Sequence, residues 1–244
     1  MNTRMILALI LSALTASAVS AESVTYQAGE TICEGWYISP SPNAPLVLLV
    51  HDWDGLTDYE KQRASMLSDL GYAVFCADLF GAGVRPTELD AKQKCTGELY
   101  ADRAKMRLLM SGALNAAKEQ GGNIGNAVTM GYCFGGTAVL EFARSGADLK
   151  GFVTFHGGLQ TPEDQDYSKT KGQVVVFHGT ADTSIPMDDF VNLARELERA
   201  GVPHELTTYG GAPHAFTVFG SDRYRKDADE KSWRRFTQFL KMTL

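Results

Sequence analysis

Short apolar runs alternate with longer helical patterns along most of this chain, and that alternation constrains the fold more than any other feature. The runs are Leu46–Val50, Ala73–Cys76, Ala127–Met130, Gly151–Phe155 and Val174–Phe177, all rich in Val, Leu or Phe and bounded by Gly, Asp or His. A strand that is apolar at successive positions buries both of its faces, which is the signature of a parallel strand inside a sheet. Helical patterns lie near Tyr59–Leu70, Leu99–Glu119, Thr137–Arg144 and Asp188–Ala200, and Asp222–Leu244 reads as a terminal helix. The alternation predicts an α/β fold: a mostly parallel, twisted sheet with helices on both faces. The start of the chain differs. Val24–Gln27 and Thr31–Ile38 flank the turn signal Ala28-Gly29-Glu30, which predicts an antiparallel hairpin at one sheet edge. Residues 81–98, with Gly81, Gly83 and Pro86, read as a long loop. No linker, repeat or low-complexity stretch divides residues 22–244, so they are expected to form one domain.

The first residues follow a different logic. Arg4 precedes the apolar run Ile6–Leu11, and small residues lead to Val19-Ser20-Ala21. This is the pattern of an export signal spanning residues 1–21, cleaved before Glu22, and it implies a periplasmic or secreted protein. The apolar run falls short of the ~20 residues that span a bilayer, so no stable membrane insertion is expected after cleavage. Arg4 is the one charged residue in that segment. The mature chain would therefore carry 22 Lys+Arg against 29 Asp+Glu, a formal charge of −7. An acidic chain without a basic run does not suit nucleic acid, and a small-molecule partner fits it better. Of the four cysteines, Cys76 lies in an apolar strand pattern and reads as a core residue. No pair has zinc-finger spacing. With Cys133 kept free for chemistry, one bridge at most can form, and Cys33–Cys95 is the pairing considered.

The chemistry concentrates in Gly131-Tyr132-Cys133-Phe134-Gly135-Gly136, which follows one strand pattern and opens a helix. It is the nucleophile-elbow pattern with cysteine in place of serine. A sharp strand-to-helix turn needs small neighbours, which the glycines supply. The turn would set the sulfur at a helix N-terminus, where the dipole is expected to favour thiolate. The competing reading is a glycine-rich turn around an inert thiol. Asp182 follows the strand pattern that ends at Phe177, where open α/β sheets place their sites. It is the expected partner of His214, ahead of Asp188 and Asp189, which read as helix N-terminal acids. His214 lies in Gly211-Ala212-Pro213-His214-Ala215-Phe216, before the last helix, and would serve as general base and then acid. The order nucleophile, acid, histidine is that of α/β-hydrolases. His51-Asp52-Trp53-Asp54-Gly55 follows the first parallel strand, where the second oxyanion donor is expected; the N–H groups of Trp53 and Phe134 are assigned to that hole. Asp52 would lie near the thiol, with a loop-capping role as the alternative. His51 and His156 end strands and are candidates to line the pocket, and His178 reads as structural.

The elbow, His51-Asp52-Trp53-Asp54-Gly55-Leu56, Ala77-Asp78-Leu79-Phe80 and Pro213-His214-Ala215-Phe216 together resemble the dienelactone hydrolase family over nearly the whole mature chain. The resemblance implies an α/β-hydrolase fold with little or no lid, no metal and no organic cofactor. It implies a triad of Cys133, His214 and Asp182, with Asp52 modulating the thiol where the founding enzymes have glutamate. Those enzymes also place an arginine soon after the histidine. Here the chain reads Ala215-Phe216-Thr217-Val218, with no arginine before Arg223, while Arg85 in the long loop is a candidate substrate contact. The expected activity is hydrolysis of a small ester or lactone through a covalent acyl-enzyme. Two other classes stay open at this point: a non-catalytic binding protein on the same fold, and a thioesterase or redox-active thiol protein.

Overall fold

Leu46–Val50 pairs in parallel with Ala73–Ala77 on one side and with residues 127–131 on the other, forming the middle of an eight-stranded sheet. The computed structural model describes residues 20–244, so residues 1–19 of the expected leader lie outside the described residues. The strands are β1 (Ser20–Ala28), β2 (Thr31–Ser39), β3 (Pro45–Val50), β4 (Ala73–Ala77), β5 (Asn123–Tyr132), β6 (Gly151–Phe155), β7 (Gln173–Gly179) and β8 (His204–Tyr209). Their order across the sheet is β1-β2-β4-β3-β5-β6-β7-β8. The hairpin β1–β2 is antiparallel and joins β4 antiparallel; every later pairing is parallel. The hairpin turns at Gly29, whose φ of 61° suits glycine.

The helices are α1 (Asp58–Ser68), α2 (Leu89–Ala101), α3 (Arg103–Glu119), α4 (Phe134–Arg144), α5 (Met187–Ala200) and α6 (Lys226–Thr243). Strand β3 shows why helices must cover both faces. Leu46, Leu48 and Val50 enter one apolar cluster with Ala113 of α3, Ala138 of α4 and Leu193 of α5. The alternate residues Val47 and Leu49 enter the other, with Ala64 and Leu67 of α1 and Phe236 and Leu240 of α6. Alternating side chains thus feed two cores across one sheet.

Two expectations change. The segment read as a loop over 81–98 contains most of α2, which breaks from α3 at Asp102. Helix α2 buries only Thr96 and Leu99, so it carries no apolar stripe for a sequence pattern to reveal. The bridge considered between Cys33 and Cys95 is absent: Cys33 is a buried free thiol and Cys95 a half-buried one.

Candidate active site

The carboxyl ends of the parallel strands converge on Cys133. It follows β5 and caps α4 with φ 50° and ψ −112°, a conformation rare for a residue with a Cβ. Its N–H donates to the Phe155 carbonyl at 3.0 Å, and its own carbonyl accepts from Thr137 N–H at 3.3 Å. The surrounding glycines explain how so tight a turn closes. A Cβ on Gly131 would come within 2.3 Å of the Gly135 backbone. One on Gly135 would lie 2.4 Å from the Val50 carbonyl oxygen, and one on Gly136 would lie 2.1 Å from Thr154 Oγ1. The first turn of α4 therefore sits directly on β3, β5 and β6, with no space for side chains.

His214 lies in the loop after β8, and its Nε2 is 3.1 Å from Cys133 Sγ. Its Nδ1 is 2.8 Å from Asp182 Oδ2. Asp182 follows β7, and its other oxygen, Oδ1, accepts from the N–H groups of Ser184 and Ile185 at 2.9 Å each. Burial works against ionisation of Asp182, but His214 and these two donors outweigh it and hold the carboxyl below its ordinary value. An ionised Asp182 can only accept, so Nδ1 of His214 carries a proton and Nε2 of the neutral ring is free to accept one from sulfur. Ala215, next to the histidine, has φ 60°, and this turn aims the ring.

The thiol itself departs from expectation. Burial, reinforced by the Asp52, Asp182 and Asp54 carboxylates, pushes Cys133 up to about 12 against the opposing pull of the Phe134 N–H. Desolvation outweighs the helix N-terminus, so the resting sulfur is a thiol rather than a thiolate at neutral pH. Asp52 is buried as well. Its Oδ1 accepts from Asp54 N–H at 3.0 Å, and burial first, then Asp54, raises it to about 9.

The remaining assignments divide. Phe134 opens α4 directly after Cys133, and its N–H acts to lower the thiol. Trp53 is half-buried in the loop after β3, with the Lys92 ammonium 5.2 Å from its ring centre. His51 is not a substrate contact. It is fully buried, its Nδ1 bonds the Asp52 carbonyl at 2.6 Å, and its Nε2 accepts from Leu79 N–H at 3.1 Å. Arg85 is also committed elsewhere. Its guanidinium donates to the carbonyls of Leu56, Val84 and Glu34 and lies 3.6 Å from Asp78, which staples the loop after β4 to the hairpin. His156 is 1% exposed and packs behind His214, so it does not line an open pocket. Two residues near the site carry no sequence motif. Tyr100 of α2 packs on the Phe134 ring at 5.6 Å, and Thr217 is fully buried within the histidine loop. Among the described residues no cluster of His, Cys, Asp or Glu has the makings of a metal site.

Comparisons with known proteins identify the family. The model of the dienelactone hydrolase family matches residues 34–244. A putative carboxymethylenebutenolidase from Synechocystis sp. is 24% identical over 220 residues, covering 82% of this chain and 87% of that protein. The crystal structure of a dienelactone hydrolase-like promiscuous phosphotriesterase from metagenomic libraries is 30% identical, with TM-score 0.85, and covers 93% of this chain and 99% of that one. A putative dienelactone hydrolase from Klebsiella pneumoniae shares the fold at 20% identity and TM-score 0.82, over 92% and 99% of the two chains. The chain belongs to the dienelactone hydrolase family, within the α/β-hydrolase superfamily.

Proposed function

We propose that this carboxylic ester hydrolase cleaves small esters or lactones through a covalent acyl-enzyme on Cys133. The observation that carries the reading is the contiguous line from Cys133 Sγ to His214 Nε2 at 3.1 Å and from His214 Nδ1 to Asp182 Oδ2 at 2.8 Å, set on a strained elbow. Sulfur attacks the carbonyl carbon while its proton passes to His214 Nε2. Because the thiol is held near 12, that transfer accompanies attack instead of preceding it. Asp182 fixes the ring and stabilises the imidazolium. The carbonyl oxygen becomes an oxyanion facing the N–H groups of Phe134 and Trp53, a pair of donors of which each is worth about 3 kcal/mol. The intermediate collapses, and His214 gives its proton to the departing alkoxide. In a lactone that alkoxide stays tethered to the acyl group. Water, deprotonated by His214, then attacks the thioester, releasing the acid and restoring the thiol.

A panel of short-chain esters, lactones and thioesters tests this reading. Wild type is expected to turn over at least one class, and Cys133→Ala to lose that activity by on the order of 10⁴-fold or more. Equal turnover by Cys133→Ala would overturn it. The leader pattern of residues 1–21 supports action outside the cytoplasm. N-terminal sequencing of the exported protein is expected to begin at Glu22; recovery of uncleaved protein in the cytoplasm alone contradicts that placement.

A further inference from the structure

His156 is a buried imidazole that the proposed reaction does not use. It follows β6 with φ 42°, a second strained residue beside the elbow, and its N–H donates to the Phe177 carbonyl at 2.8 Å. Its ring touches both halves of the site. On one side it lies 5.9 Å from the ring of Tyr132, the residue immediately before Cys133. On the other it meets the His214 ring edge-to-face at 5.3 Å and the Phe216 ring at 5.4 Å. One side-chain bond orients it, between Nε2 and Thr217 Oγ1 at 2.8 Å.

Thr217 is in turn fixed on every polar atom of its side chain and carbonyl. Its hydroxyl also bonds Tyr59 Oη at 2.9 Å, and its carbonyl accepts from Arg63 at 2.8 Å and from Tyr59 Oη at 3.2 Å. Arg63 is 1% exposed, pairs with Asp229, and stacks on the rings of Phe219 and Trp233. The foundation beneath His156 thus spans α1, the histidine loop and α6. Burial, and then His214, hold His156 well below the ordinary histidine range, and Arg63 and His178 press the same way. The ring stays neutral beside a histidine that must become charged.

We infer that His156, locked by Thr217, is a positioning residue that sets the separation between Cys133 and His214. The inference rests on the proton-transfer role proposed for His214. A ring wedged between the elbow and the histidine loop fixes a gap on which proton transfer depends, and an error near 1 Å in such a gap costs up to about a hundredfold in rate.

Alkylation of Cys133 by iodoacetamide across pH, in the full-length protein, separates the two claims. With a working base beside the thiol, the rate reaches a plateau; without one it follows thiolate and keeps rising. His214→Ala is expected to lose the plateau. Thr217→Val, which keeps the shape and removes the hydroxyl, is expected to lower the plateau about tenfold, with Thr217→Ser restoring it. His156→Phe, which keeps the ring and removes Nε2, is expected to match Thr217→Val and provides the reading if that variant does not fold. Thermal melts report stability separately. A wild-type plateau in the folded Thr217→Val and His156→Phe variants, with the plateau lost in His214→Ala, overturns this inference alone. A wild-type plateau in His214→Ala overturns the proton-transfer reading and this inference with it.

Discussion

An ionised Asp52 works against ionisation of Cys133. Burial raises Asp52 to about 9, so its carboxyl is protonated at neutral pH and adds no charge of its own against the thiol. Above that pH it ionises and places a negative charge near both the sulfur and the forming oxyanion. The wild-type kcat/KM is therefore expected to fall as pH rises through about 9. Asp52→Asn, which mimics the neutral acid, is expected to retain activity at neutral pH and lose that falling limb. A pH profile of ester hydrolysis for both proteins checks this, and an unchanged limb in Asp52→Asn would refute it. At this scale the sequence was informative where backbone geometry dictates residue type. The glycines at 131, 135 and 136 announce a turn that tolerates no Cβ. Asp182 and His214 stand out by following strand patterns. It was uninformative where side chains meet across long separations: His156 bonds a threonine 61 positions away, and Arg63 bonds the same threonine from 154 positions away. The pull of burial on the thiol likewise follows from three-dimensional enclosure that no local pattern records.

At the scale of elements, the site depends on how closely α4 approaches the sheet. Gly135 lies where a Cβ would meet the Val50 and His51 carbonyl oxygens at 2.4 and 2.5 Å, both of them backbone atoms that cannot rotate away. Gly135→Ala must lift the first turn of α4 off β3. Denaturant unfolding is expected to show a loss of about 3 kcal/mol, with activity falling further than stability alone explains because Phe134 N–H moves with the helix. Unfolding and ester turnover indistinguishable from wild type would show that the elbow has slack. Buried parallel strands were legible because apolar runs have few alternatives, and α4 and α5 because they follow such runs at short range. Helix α2 was not, for it rests on the surface with two buried residues and no periodic stripe. The hydrogen bonding of Arg85 was hidden for a related reason. A lone arginine in a loop looks available, yet its guanidinium is occupied by the carbonyls of Leu56, Val84 and Glu34.

The described residues form one eight-stranded sheet with a core on each face, and its parallel strands deliver their carboxyl ends to a single edge. Cys133, Asp182 and His214 come from loops after β5, β7 and β8, so only the assembled sheet brings them together. In the proposed mechanism this assembly forms a thioester at Cys133 during turnover. Its most direct measurement is mass spectrometry of protein quenched in the first turnovers with an activated short-chain ester, followed by peptide mapping. One acyl group per chain is expected, attached to the peptide containing Cys133, appearing with a burst of the alcohol product and absent from Cys133→Ala. Full turnover with no acyl adduct at any stage, or with the adduct on another residue, would contradict it.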